Sequence, residues 1–382
     1  MSFSPSLSRR QFVGHVAAGA AVAMLPSSRS FAADPAARKL GVALVGLGGY
    51  STGQLAPALR ETRHCRLAGV VTGDRAKGLA WARQHGFPEK NVYGYDTMTR
   101  LADNPDIDIV YVVTPNALHA EHTIAAARAG KHVICEKPMA ISVAECDAMI
   151  AACRQAGVQL SIGYRMHFDP YAGELMRLAQ AREFGPFQRV DGAFSFNLNR
   201  RVWRAQKALA GGGPLMDLGI YVIQGACMAV GGPAVAGQPL VMPVAVTARE
   251  IEKQRPDLFA DVEETIAWTL EFADGAHAEG RTSYQEQANK LRADAAHGWI
   301  EMAPAYSYGG LRARTSRGPL HFESVNQQAR QMDDFALCVQ EHRASRVSGE
   351  MGRRDLAIIE AIYAAARTSQ RVPLAGAIAP AK

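Results

Sequence analysis

Gly46-Leu47-Gly48-Gly49-Tyr50-Ser51 is a glycine-rich turn directly after the apolar run Gly41 to Val45. Between a strand and a helix, such a turn is an anion cradle. Gly46 permits the tight bend, and Gly48 lets backbone N–H groups approach a pyrophosphate at the helix N-terminus. Ser51 stands where a third glycine or alanine is usual. Thr114-Pro115-Asn116 and Glu136-Lys137-Pro138 end two later apolar runs, the position at which ligands bind in open α/β sheets. Taken alone, Lys137 reads as a surface lysine; at a strand tip beside the ligand of the glycine turn it faces the cleft. Asp217 and Tyr221 lie four residues apart, in a helix that Gly211-Gly212-Gly213-Pro214 introduces, and so share a face. A carboxylate and a phenol projecting together suit proton transfer to a substrate hydroxyl, and equally a capping Asp beside a half-buried Tyr.

At the tip of the second apolar run, an enzyme using NAD places Asp or Glu on the ribose. Here Thr72 holds that place, and Arg75 and Lys77 follow. Both cations suit a ribose 2′-phosphate, which favours NADP. Asp74 remains within reach of the ribose, and the two cations also read as solvated charge at a helix start.

The elements that position these groups follow from pattern. Apolar runs at 41–45, 66–72, 109–113, 132–135 and 159–162 read as buried parallel strands, with helices over 53–60, 77–85, 119–129 and, capped by Ser142, to Gln155. Repeated βα units specify a doubly wound sheet with right-handed crossovers. After Gly163 the rhythm changes. Segments 190–198, 244–250, 265–272 and 276–284 read as longer strands separated by long helices, with Asp274-Gly275 as a hairpin signal. Residues 351–368 read as a closing amphipathic helix. The expected fold is α/β: a Rossmann dinucleotide-binding domain over 40–163, then an α+β domain over 164–374 with a large, mostly antiparallel mixed sheet, and a tail at 375–382.

The chain has 382 residues, 48% hydrophobic and 20% charged, which is globular composition sized for two domains. The formal net charge of +6 includes Arg9, Arg10 and Arg29 in a segment expected to be removed. The near-balanced remainder offers no nucleic-acid footprint. Ser8-Arg9-Arg10-Gln11-Phe12-Val13, the apolar run to Leu25 and Ser30-Phe31-Ala32 form a twin-arginine export signal over 1–32. Its run is shorter than the ~20 residues that span a bilayer, so no stable membrane anchor is expected and the mature chain is placed in the periplasm. The six cysteines form no disulfide framework or paired metal motif, and all six are expected as buried thiols. No metal site is expected.

Together, Val45 to Gly48, Thr114 to Glu121, Ala129 to Pro138, Gly163-Tyr164-Arg165 with His167, Asp169 and Pro170, Trp203-Arg204, Gly211 to Tyr221 and Glu360 to Thr368 resemble the Gfo/Idh/MocA oxidoreductase family, and within it the glucose–fructose oxidoreductase branch. The resemblance implies that Lys137, Asp217 and Tyr221 surround the reacting sugar carbon. It implies that Gly46, Leu47, Gly48, Gly49, Tyr50, Thr72, Lys77, Tyr95, Thr114, Pro115, Asn116, Ala117, Leu118, Glu136, Lys137 and Arg165 hold NADP, with Trp203 and Arg204 close by. It also implies an open-faced sheet used in a homodimer or homotetramer. The proline-rich arm of that branch is reduced here to 33–39.

The expected reaction is oxidation of a cyclic aldose at C1 to a lactone, with Tyr221 as base, Lys137 favouring the phenolate and Asp217 positioning the sugar. Twin-arginine export carries folded, cofactor-loaded proteins. An exported enzyme has no soluble NADP pool, so a tightly held cofactor returning its hydride to a second sugar carbonyl is expected. A simple NADP-dependent aldose dehydrogenase or reductase shares every motif. An NAD-using glycosidase of the same fold and a non-catalytic sugar sensor are the alternatives from other classes.

Overall fold

The computed structural model describes residues 38–234 and 238–374. The export signal at 1–32, most of the short arm and the tail at 375–382 lie outside the described residues.

The first half alternates strictly: β1 (Leu40–Val45), α1 (Ala56–Glu61), β2 (Cys65–Val71), α2 (Arg75–His85), β3 (Val92–Tyr93), β4 (Ile109–Val112), α3 (His119–Arg128), β5 (His132–Cys135), α4 (Val143–Gln155) and β6 (Leu160–Ile162). The six strands form one parallel sheet in the order β3-β2-β1-β4-β5-β6. Its strands are apolar on both faces because both faces are covered. Val45, Val71, Val110 and Val133 pack with α3 and α4, while Leu44, Val70, Ile109 and Ile134 pack under α1 and α2. Ser142 caps α4 by accepting the Glu145 N–H.

The second half contains α5 (Pro170–Ala181), β7 (Phe187–Ser195), α6 (Lys207–Ala210), α7 (Ile220–Gly231), β8 (Ala245–Glu250), β9 (Thr265–Glu271), β10 (His277–Ser283), β11 (Ala288–Ala295), β12 (Gly298–Met302), β13 (Ala313–Thr315), β14 (Gly318–Leu320), α8 (Gln327–Gln340), α9 (Gly349–Thr368) and β15 (Val372–Pro373). Its nine-stranded sheet runs β14-β13-β12-β11-β7-β10-β9-β8-β15, antiparallel except for the β7–β10 pair. The long helices expected between these strands are absent from β8 to β14. That stretch is mostly a meander, closed at Asp274-Gly275 by Gly275 at φ +86°. Strands β11 to β14 and helices α5 and α8 went unread in the sequence. Helix α7 is buried on nearly every side, and is apolar but for Tyr221 and Gln224, because it lies between the sheet and α5 and α9.

Helix α8 returns to the first sheet. Met332, Phe335 and Ala336 complete the core beneath β1 and β2, and the Asp333 carboxylate accepts the N–H groups of Arg63 and His64. The two sheets therefore share one packed body, with the cleft between them. All six cysteines are buried thiols.

Candidate active site

The glycine turn is built as the spacing requires. Gly46 has φ +95°, in the left-handed region, and a Cβ there would press on the Val113 carbonyl at 3.0 Å. Around Gly48, Gly49 and Gly53 there is open space. Ser51, at the third glycine position, turns its hydroxyl inward and donates to the Gly46 carbonyl at 2.6 Å, tightening the turn. The Leu47 side chain is buried in the core, so only its backbone faces the turn. Lys77 Nζ donates to that backbone carbonyl at 2.5 Å, which ties the turn to α2. Asp74 caps α2 by accepting the Lys77 N–H. Thr72, Arg75, Arg100 and Tyr95 line a cavity of about 480 Å³ at the β2 tip. The Tyr95 ring stacks on His122 with centroids 4.9 Å apart.

The β4 and β5 tips close the floor. Pro115 to Leu118 form a single tight turn that presents backbone, and Asn116 Nδ2 donates to the Ala210 carbonyl at 2.9 Å. His119 bridges the tips, with Nδ1 2.8 Å from the Pro138 carbonyl and Nε2 2.9 Å from that of Thr114. Burial pushes its ring down to about 4 against the pull of those carbonyls. Glu136 accepts from the Tyr111 hydroxyl at 2.7 Å and from the Lys137 N–H. Burial raises its carboxyl, with Lys137 opposing.

Lys137 Nζ donates to the Asp217 backbone carbonyl at 2.8 Å, lies 3.4 Å from Asp217 Oδ1, and sits 4.8 Å above the Tyr221 ring centroid. Asp217 also receives Arg204 Nε at 3.1 Å and the Tyr284 hydroxyl at 3.1 Å. Burial alone would raise the Asp217 carboxyl, but Arg204 and Lys137 outweigh it and hold the group below its ordinary value. Arg204 in turn stacks over Trp203 at 4.4 Å. Asp217 lies in a π-helical turn, Leu215–Gly219, that runs into α7, a local form common at functional sites. The N-terminal N–H groups of this segment, at Gly213 and Leu215, are accepted by the buried carboxylate of Glu263 at 2.9 Å each. Arg165 Nε donates to Tyr221 Oη at 3.1 Å.

Lys137, Asp217 and Tyr221 thus meet in one cleft of about 550 Å³, which Tyr50, Thr114, Asn116, Glu136, Arg165, Trp203 and Arg204 also line. Thr72 and Tyr95 lie at the separate cavity beyond the glycine turn. A dinucleotide fits on the structure's own terms: the space before Gly48 and Gly49 is one that any Cβ would begin to fill. Glu263, Tyr284 and Tyr308 went unread in the sequence. The acidic pair Glu263-Glu264 just before a strand was the one available signal, since buried carboxylates need donors.

Residues 40–164 match the oxidoreductase family with an NAD-binding Rossmann fold, and residues 173–301 match the GFO/IDH/MocA C-terminal domain. The chain belongs to the Gfo/Idh/MocA oxidoreductase family. Within this family, it is similar to the crystal structure of aldose-aldose oxidoreductase from Caulobacter crescentus complexed with glycerol. The TM-score is 0.84 and the identity 42%, covering 88% of this chain and 100% of that one. It is 29% identical over 342 residues to a D-xylose 1-dehydrogenase (NADP(+)) of Haloferax volcanii, covering 87% of this chain and 98% of the relative. A D-xylose 1-dehydrogenase [NADP(+)] of Haloarcula marismortui is 26% identical over 338 residues, covering 87% and 92% respectively. The chain is accordingly an oxidoreductase whose first domain is of the nicotinamide-dinucleotide-binding type.

Proposed function

We propose that this Gfo/Idh/MocA oxidoreductase oxidises a cyclic aldose at C1 with NADP and passes the reducing equivalents to a second sugar carbonyl in the same cleft. The observation that carries it is the meeting of Lys137, Asp217 and Tyr221 in a cleft that Tyr50, next to the glycine turn, also lines. Similarity to an aldose-aldose oxidoreductase and to two NADP-dependent xylose 1-dehydrogenases supports the substrate class and the cofactor. The non-acidic Thr72, with Arg75 and Arg100 on the neighbouring cavity, supports NADP over NAD.

When bound, the nicotinamide supplies hydride exchange, taken from C1 of one sugar and returned to the carbonyl carbon of another. Tyr221 Oη accepts the C1 hydroxyl proton in the first half and gives it to the acceptor oxygen in the second. The products are a lactone and a polyol. The Lys137 ammonium lies 4.8 Å above the ring of this proton acceptor. Asp217, fixed by Arg204 and Tyr284, accepts a hydrogen bond from a sugar hydroxyl and orients the ring. Backbone groups of Gly46 to Tyr50 and of the Thr114 to Leu118 turn bind the dinucleotide, and Tyr95 offers a flat face beside Thr72. The reading includes export by the twin-arginine signal to the periplasm. It also includes self-association through the outer face of the second sheet, where Asp191, Thr269, Glu279 and Lys290 carry no covering layer among the described residues.

An absorbance spectrum of the purified mature protein, before and after glucose, tests this reading. A reduced-nicotinamide band should appear without added NADP and fade when an acceptor sugar follows. Activity that disappears on dialysis and returns only with added NADP would instead establish a simple aldose dehydrogenase, the reading that the xylose 1-dehydrogenases favour. Tyr221→Phe should keep cofactor binding while cutting turnover at least about a hundredfold; unchanged kcat removes the base from Tyr221.

A further inference from the structure

Arg165 is buried in the turn after β6, only 2% exposed. Besides Tyr221 Oη, its guanidinium donates to the Ser307 carbonyl at 2.9 Å, to Gln327 Oε1 and to the Tyr306 carbonyl. It lies 4.8 Å from the Tyr221 ring centroid and 4.4 Å from that of Tyr308. Among the described residues it forms no ion pair. Lys137, in contrast, is already paired with Asp217. Of the two cations at the phenol, the one that touches the oxygen is therefore the one with no carboxylate at ion-pair distance among the described residues.

We infer that Arg165 is a positioning residue that sets the ionisation of Tyr221, the phenolate being its missing counter-ion. The inference rests on the reading of Tyr221 as proton acceptor and deepens it. A buried cation without a partner favours an anion on the atom it donates to. The other groups around the phenol are Lys137 from the β5 tip, Asp217 one turn earlier, Glu136, and the phenols of Tyr50, Tyr306 and Tyr308. Arg354 and Asp355 of α9 pair with each other, and Asp355 accepts from Gln224 Nε2 instead. The two carboxylates oppose ionisation and the two cations favour it. Arg165 also fastens the carbonyls of Tyr306 and Ser307, and so holds the wall that carries Tyr308 against the base.

The test is an ultraviolet difference titration of tyrosine ionisation on NADP-loaded protein, with Tyr221→Phe defining the Tyr221 component. In Arg165→Gln and Arg165→Met that component should move up by at least about one pH unit, a tenfold loss of phenolate at fixed pH. The alkaline-rising limb of kcat/KM should move with it, and Arg165→Lys should restore most of the shift. An unmoved Tyr221 component overturns the inference. Loss of cooperative thermal unfolding in both neutral variants overturns it as well, because the guanidinium would then be a structural strut. If the titration follows Arg165 but wild-type protein oxidises no aldose, the functional reading fails while the electrostatic inference stands. If the titration ignores Arg165 while Tyr221→Phe abolishes oxidation, the reverse holds.

Discussion

Two glycine-rich turns adjoin residues that line the same cleft, each leading into a π-helical turn, Ser51–Leu55 and Leu215–Gly219. In composition they look alike; physically they are opposites. Around Gly48 and Gly49 nothing lies within 4 Å of an added Cβ. The missing side chains leave room, and the free N–H groups await an anion. At the second turn, a Cβ on Gly211 would lie 2.7 Å from Ile141, one on Gly212 would strike the Tyr363 hydroxyl, and one on Gly213 the Glu263 carbonyl. There the missing side chains admit protein, and the helix N-terminus is already satisfied by Glu263. A glycine turn left open and one that packs the helix carrying Asp217 and Tyr221 differ in what fills the space, a property of the fold and not of the turn.

Gly213→Ala should give the largest effect. Its Cβ meets backbone that cannot swing away, so unfolding measurements should show a loss of about 3 kcal/mol or more together with lost activity. Glu263→Gln should cost about 1–3 kcal/mol, because an amide turns one donor toward an N–H that the carboxylate accepted; a wild-type urea midpoint would break the contrast between the turns. At the first turn, Gly48→Ala should change stability by less than about 0.5 kcal/mol. Its NADP affinity, read by fluorescence titration, should fall at least about tenfold, and a destabilised protein with intact affinity would invert the assignment.

The smallest effect is a pH dependence at the second turn. Asp217 has a folded value below its ordinary one, so its pairing stabilises the protein above about pH 4 and is lost as pH falls through the lower folded value. The gap in urea stability between wild type and Asp217→Asn should therefore close on acidification below about pH 4, while no such closure should accompany Gly48→Ala.

The first domain was legible nearly strand by strand because its strands are buried on both faces and read as unbroken apolar runs. The second was less so. Strand β11, Ala288 to Ala295, carries Lys290, Arg292 and Asp294 along its more open side, which hides it among loop-like sequence. Helix α8 shows several polar residues, yet its apolar stripe completes the core of the other half, some 270 positions from Arg63. Asp217 and Tyr221 were readable as a pair, and Lys137 as a strand-tip lysine. The sequence offered no means of seeing that Lys137 spends its charge on Asp217 while Arg165 touches the phenol.

What the chain determined locally was the alternation of strands and helices, the left-handed bend at Gly46, the cap at Ser142 and the hairpin at Gly275, because each depends on neighbours within a few residues. Which glycine turn stays open, which cation meets Tyr221 Oη and which carboxylate caps the segment leading into α7 were decided by tertiary packing. Burial removes water as the alternative partner, so each buried charge must take whatever donor or acceptor the distant chain brings within reach.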